Sequence, residues 1–239
     1  MDSFREWPAA INRSGRRFAP VAEAELDLDL RNLARKLPHA SAGVDVVPEF
    51  VGPNGIADLV AVTQAGHGFE SRVLAGIPYL RTITDARVVA ATSVGRTVTG
   101  ATIASTTGLS PRQSQTAVNR LVRDGAIRRV GSGYRRSESM VAVGRMYALE
   151  AKVSDWRKAF SQALRYSSWS DASAIVLLRS PREIDDAIEL AKRFRIGLAV
   201  HDRWLVRPSI RAVPTHLRLL ASDRFAFTLD LAKRTPETS

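Results

Sequence analysis

Two short motifs that suit neighbouring strands of one sheet lie far apart in this chain. Gly55-Ile56-Ala57-Asp58 and Glu150-Ala151-Lys152 are separated by about ninety residues of different character. Each belongs to an apolar run with the look of a strand, and a third motif, Gln162-Ala163-Leu164-Arg165-Tyr166, falls on the helix that follows. A sheet accepts so long an interruption most easily at a hairpin connection, where few core contacts cross. Strand alternation sends Glu150 and Lys152 to one face and Ala151 to the other. If the two strands are neighbours, Asp58 joins them. Two carboxylates are hard oxygen ligands suited to Mg²⁺ or Mn²⁺ beside a phosphate. The ammonium can orient or deprotonate an attacking water, or steady charge on phosphorus.

The segments around the interruption predict an α/β fold. Leu26, Leu30, Leu33 and Leu37 form one stripe of a helix over 21–37, which Pro38 stops. Strands over 44–51 and 56–63 meet at Gly52-Pro53-Asn54-Gly55, a strong turn signal. Later come a strand over 141–153, a helix over 154–166, a strand over 174–178 and a helix over 181–194. Short strands over 196–200 and 204–206 follow, then helical pieces over 215–221 and 225–233. That order implies a mixed sheet flanked by helices. On the helix over 154–166, Gln162 and Tyr166 share a face distinct from the apolar stripe of Val153, Trp156, Phe160 and Ala163. The polar pair is therefore expected to border the site rather than sit in the core. Residues 1–20, with Pro8, Gly15 and Pro20, read as a flexible or loosely docked arm. The expected division is 1–20 as the arm, 21–63 with 141–239 as the core domain, and 64–140 as the insert.

Charge singles out the insert. The chain carries a net +11, and the window Arg81–Arg136 holds ten Arg, no Lys and two Asp, a net +8. Such concentration favours a polyanionic partner. Without cysteine, disulfides, zinc fingers and thiol chemistry are excluded. No run approaches the roughly 18 apolar residues of a membrane span, and the basic amino end lacks the apolar stretch of a secretory signal. A cytoplasmic protein with no membrane partner is expected.

Within the insert, Gly66 and Gly68 mark a loop, and helices are expected around 70–80 and over 85–94. Residues 99–136 then read as a winged helix-turn-helix. A short helix over 102–107 directs Ile103 and Ala104 inward; Gly108 supplies a left-handed turn and Leu109 an apolar plug. Ser110, Pro111 and Gln113 form an S-x-x-Q capping box with proline in the first turn. Ala117, Val118, Leu121 and Val122 face inward on the second helix. Arg112, Gln113, Gln115, Thr116, Asn119, Arg120 and Arg123 fall largely outside, where such side chains read base edges in a major groove. A hairpin with its tip at Gly131-Ser132-Gly133 carries Arg128, Arg129, Tyr134, Arg135 and Arg136 for phosphate or minor-groove contact. Over about fifty residues this segment resembles the winged-helix domains of MarR-like regulators, most closely in Leu121-Val122-Arg123-Asp124-Gly125-Ala126-Ile127-Arg128-Arg129.

The split motifs together resemble the PD-(D/E)XK nuclease superfamily, and the G-x-x-D, E-x-K, Q-x-x-x-Y series looks most like its RecB-like branch. The resemblance covers roughly 21–63 and 144–206. It implies a restriction-endonuclease-like sheet with Asp58 and Glu150 as ligands of Mg²⁺ or Mn²⁺, Lys152 as the catalytic lysine, and Gln162 and Tyr166 as contacts near the site. The chain departs from the pattern in having no proline directly before Asp58 and no well-placed upstream histidine, since His39 follows Pro38 at a helix end. Glu25 or Glu49 could supply the further acidic residue of resolvase-like members. Two functions remain open on these residues: a metal-dependent deoxyribonuclease acting on double-stranded DNA, or a winged-helix regulator using a nuclease-like scaffold for support, dimerisation or sensing. A homodimer suits both and is required by neither.

Overall fold

The structure, a computed structural model, describes residues 4–9 and 21–234. The chain divides into two compact units. Unit 1 takes residues 1–65, 144–213 and 227–239; unit 2 takes 66–143 and 214–226. Eight α-helices, a seven-stranded mixed sheet and a small three-stranded sheet are present among the described residues. None of those helices is long and apolar enough to cross a membrane.

Along the chain, β1 (Phe4–Glu6), α1 (Val21–Arg35), β2 (Val44–Val51) and β3 (Ile56–Thr63) open unit 1. Unit 2 follows with α2 (Gly66–Leu74), α3 (Ile83–Ala91), β4 (Val98–Thr99), α4 (Gly100–Thr107), α5 (Pro111–Arg123), β5 (Ile127–Val130) and β6 (Gly133–Arg136). Unit 1 resumes with β7 (Arg145–Lys152), α6 (Trp156–Tyr166), β8 (Ala172–Leu177), α7 (Ile184–Phe194), β9 (Gly197–Val200) and β10 (Arg203–Val206), and α8 (Thr215–Arg234) closes the chain.

The large sheet has the order β1-β2-β3-β7-β8-β9-β10. Pairing is antiparallel from β2 through β3 to β7, then parallel through β8 to β9, with α6 and α7 as crossovers. Alternation sorts the two faces. Tyr147, Leu149 and Ala151 of β7 join Leu59 and Ala61 of β3 beneath Leu26, Leu30 and Leu33 of α1. On the other face, Ile175 and Leu177 of β8 pack with Trp156, Phe160 and Ala163 of α6 and with α7. Glu150 and Lys152 therefore project toward the α6 side, away from α1.

Part of the amino-terminal arm is structure rather than loose chain. β1 pairs in parallel with β2, and the amide of Trp7 donates to the carbonyl of Val46. The cause is Asp45, which is buried in β2 and requires donors. Arg5 and the Trp7 indole both hydrogen-bond its carboxylate at 2.9 Å, while Arg31 of α1 clasps Glu6 at 2.6 Å. Residues 1–3 and 10–20 of the expected arm lie outside the described residues.

Unit 2 packs α3, α4 and α5 against the small sheet, whose order is β4-β6-β5, around Ile103, Ala117, Val118, Leu121 and Ile127. Its second helix pair follows the expected pattern: Gly108 is left-handed at φ 69°, Leu109 is partly buried, and Ser110 and Gln113 complete a capping box. Two expectations need correction. The helix predicted over 70–80 runs instead over Gly66–Leu74, because the buried Arg72 ties down the chain beyond it by donating to the carbonyls of Ile77 and Pro78. The carboxy-terminal helical pieces form the single helix α8, and its first part belongs to unit 2. Leu219 and Leu220 enter that unit's core, Asp223 pairs with Arg72 at 2.5 Å, and Ser222 and Arg218 bind the backbone of Val143.

Candidate functional site

The three motifs of unit 1 converge on one sheet face. Leu59 pairs with Leu149, so the next step of the antiparallel register sets Asp58 opposite Glu150. Asp58 accepts a 2.8 Å hydrogen bond from the amide of Ala151, fastening β3 to the end of β7. The Lys152 ammonium lies 2.7 Å from Oε1 of Glu150, 2.9 Å from the carbonyl of Ala151 and 3.8 Å from Oδ2 of Asp58. Three hard oxygens thus surround one cationic nitrogen. Asp58 and Lys152 keep 14% of their side-chain surface, whereas Glu150 keeps 1%, so the cluster opens on the Asp58–Lys152 side.

Tyr166 closes the inner side. Its hydroxyl lies 2.7 Å from Oε2 of Glu150 and 2.5 Å from the carbonyl of Ile56, and Gln162 stands one turn earlier on α6. The expectation that this pair merely borders the site is corrected for Tyr166, which is fully buried in the core. It sits against Trp169, whose indole reaches the carbonyl of Asn54 and whose ring also meets Phe50. The β2–β3 turn is shaped to that aromatic group: Gly55 has φ 96°, and a Cβ there would stand 3.2 Å from the Tyr166 ring. Tyr166 and Trp169 thereby connect the turn before Asp58 to the carboxylate of Glu150. Trp169 and the main-chain groups of Ala151 and Ile56 were not foreseen: main-chain atoms leave no residue-type signal, and Trp169 lies in the turn just beyond the end of α6.

Electrostatics follow from this burial. Desolvation first, then the Asp58 charge, raise the Glu150 carboxyl above the ordinary range, against Lys152 and Tyr166. Burial, reinforced by Glu150, raises the Tyr166 phenol, so it remains a proton donor at neutral pH. The folded state therefore binds the Glu150 proton more tightly than the unfolded chain does. That stabilisation is complete below the unfolded value and is lost as pH rises through the folded one. In chelating buffer, the stability of the native protein relative to Glu150→Gln is accordingly expected to be highest near about pH 4 and to fall toward neutrality. Urea unfolding across that range checks it; a gap constant with pH contradicts it.

The other proposed acidic positions do not join the cluster equally. Glu25 is exposed on α1, which packs on the opposite sheet face. Glu49 stands on β2 between the pairs Pro48–Leu59 and Phe50–Ala57, level with Asp58, in a left-handed conformation at φ 50°. His39 is exposed and left-handed at a turn. Among the described residues no three acidic or histidine side chains are grouped to hold a metal. The donor set available here is two carboxylates and the carbonyl of Ala151. That set fits a hard cation, and the Oε1 of Gln162 beside it is buried without a protein partner.

Compared with protein-family models, curated proteins and solved structures, the chain matches none. Residue geometry carries the functional reading.

In unit 2, Arg112, Gln113, Gln115, Thr116, Asn119 and Arg123 are exposed on α5, and Arg128 and Arg129 are exposed on β5. Four positions differ from expectation. Tyr134 is 6% exposed and packs in the core, because the two-residue alternation of β6 turns it inward opposite Val98. Arg136, half-buried on the same face, has its pKa lowered by burial. Arg120 is held by Asp85 of α3 and so fixes α5 within the unit. Arg135 is half-buried and donates to the Thr97 hydroxyl at 3.0 Å.

Proposed function

We propose that the chain is a divalent-metal-dependent deoxyribonuclease of restriction-endonuclease-like architecture, in which a winged helix-turn-helix, inserted between β3 and β7, positions double-stranded DNA. The observation that carries this reading is the convergence of Asp58, Glu150, Lys152 and Tyr166 on one face of adjacent strands. Asp58, Glu150 and the Ala151 carbonyl would hold Mg²⁺ or Mn²⁺. When bound, the cation polarises the phosphate and activates water. Lys152 offers its ammonium at the open side of the cluster, where it can orient that water or neutralise charge on phosphorus. Tyr166 holds Glu150 from the buried side. Asp58 clamps the β7 backbone and so fixes the spacing of Glu150 and Lys152.

The net +8 of residues 81–136 and the exposed polar face of α5 support the DNA partner. Arg128→Ala and Arg129→Ala are each expected to weaken binding to all duplexes alike and to reduce the salt slope by about one. Binding isotherms at several salt concentrations measure this; an unchanged slope removes these residues from the interface.

Incubation of the purified chain with supercoiled and linear duplex, with Mg²⁺ or Mn²⁺ and with chelator, tests the whole reading. Cation-dependent cutting supports it. The second reading, a non-enzymatic regulator, is favoured by one observation: both oxygens of Glu150 are already engaged, by Lys152 and Tyr166, and the side chain is 1% exposed. A footprint on one defined duplex without cutting on any substrate would select it.

A further inference from the structure

The middle of α5 carries two exposed primary amides joined to each other. Nε2 of Gln115 donates to Oδ1 of Asn119 at 2.7 Å, across one turn of the helix. Both side chains are exposed. Capping by Ser110 and Gln113 fixes the start of that helix, and Arg120 ties it to α3 through Asp85. The amides therefore stand on a rigid support, flanked on the same exposed stripe by Arg112 and Arg123.

Their mutual hydrogen bond has a consequence for recognition. A solitary amide is a rotor, able to turn its NH₂ toward two acceptors or its oxygen toward a donor. Once linked, one carbonyl and one amine satisfy each other, and the groups left wholly free by that bond are the carbonyl of Gln115 and the amine of Asn119, an acceptor and a donor on one exposed stripe. Exchanging the oxygen and nitrogen of both amides reverses which residue supplies which group, yet leaves the same donor–acceptor pair. In the major groove adenine presents an acceptor, N7, beside a donor, N6. Guanine presents two acceptors, so one of them would face the free carbonyl. Thymine presents one acceptor beside a methyl group, and cytosine a lone donor.

We infer that the Gln115–Asn119 pair is a preset adenine reader, making the partner of unit 2 a B-form duplex with a required adenine facing the centre of α5. The inference rests on the DNA-binding reading proposed above and adds to it the base that is discriminated and the device that discriminates it. Arg112 and Arg123 would hold the helix ends on neighbouring bases or phosphates.

The test uses the full chain. Duplexes selected from a randomised pool at moderate salt give the preferred site. Its adenines are then replaced singly by 7-deazaadenine, which lacks the N7 acceptor, by purine, which lacks the 6-amino group, and by guanine. At one adenine, each replacement is expected to weaken binding roughly ten-fold or more. Gln115→Ala and Asn119→Ala should each abolish that sensitivity, and the double variant should be no worse than either single one, because the pair acts as a unit. Low-salt binding to random duplex should change less than about two-fold, since phosphate contacts dominate there. Sequence-preferring binding that ignores every adenine analogue, or a preference surviving in both variants, overturns the adenine reader and leaves DNA binding standing. Failure of the native chain to bind any duplex at low salt overturns the DNA-binding reading, and the inference falls with it.

Discussion

Glu150→Ala is expected to lower cation-dependent cutting of duplex DNA by about a thousand-fold or more, with DNA affinity unchanged. The substitution removes one of two converging carboxylates and leaves the Lys152 ammonium with only Asp58 and the Ala151 carbonyl around it. Binding is preserved because the basic surface assigned to DNA belongs to a different unit of the chain. Tyr166→Phe provides the graded companion. It keeps the ring that packs on Trp169 but removes the hydroxyl that holds Glu150, and a loss of about ten- to a hundred-fold is expected for such a supporting contact. Cleavage rates at saturating Mg²⁺, with binding measured on the same preparations, give both numbers. Equal rates for native protein and Glu150→Ala remove this cluster from the reaction.

The largest effect on stability is expected at Asp223→Ala. Asp223 and Arg72 each retain 3% of their side-chain surface, and the same carboxylate accepts from the amide of Leu80. Removing one partner leaves a buried guanidinium unpaired, at a cost of about 3–5 kcal/mol. The paired replacement Arg72→Met with Asp223→Leu should recover much of that loss, since no charge then remains in the core. Urea unfolding monitored from unit 2 measures both; a single-variant loss below about 1 kcal/mol would show the pair to be dispensable.

Elements governed by local chemistry were legible in the sequence. The strands over 44–51 and 56–63 have the predicted ends because Gly52-Pro53-Asn54-Gly55 punctuates an unbroken apolar pattern, and α5 starts where its capping box sets it. Alternation likewise placed Glu150 and Lys152 on one face, opposite Ala151. What escaped depends on contacts between distant segments. β1 has only three residues, and its reason to exist is the buried carboxylate of Asp45, about forty positions away. The allegiance of residues 214–226 was equally hidden, since it is decided by Arg72 and the core around Leu219 rather than by helix periodicity. At the site, Tyr166 looked like a rim residue because its aromatic neighbour Trp169, itself packed on Phe50, comes from outside its own helix. Tyr134 is a different case: strand alternation in β6 could have turned it inward, but the basic residues around it suggested a uniform contact surface.

The most direct measurement compares the native chain with Asp58→Ala on supercoiled and linear duplex, in Mg²⁺, in Mn²⁺ and in chelator, with binding followed in parallel. Asp58 is the carboxylate on the open side of the cluster, so its loss removes a proposed cation ligand together with the acceptor of the Ala151 amide, whereas the contacts of Glu150 with Lys152 and Tyr166 do not involve the Asp58 side chain. The expected result is phosphodiester cleavage by the native chain with either cation, none in chelator, and none by the variant although it binds DNA as tightly. Cutting that survives chelation or persists in Asp58→Ala would contradict a metal-dependent reaction at this cluster.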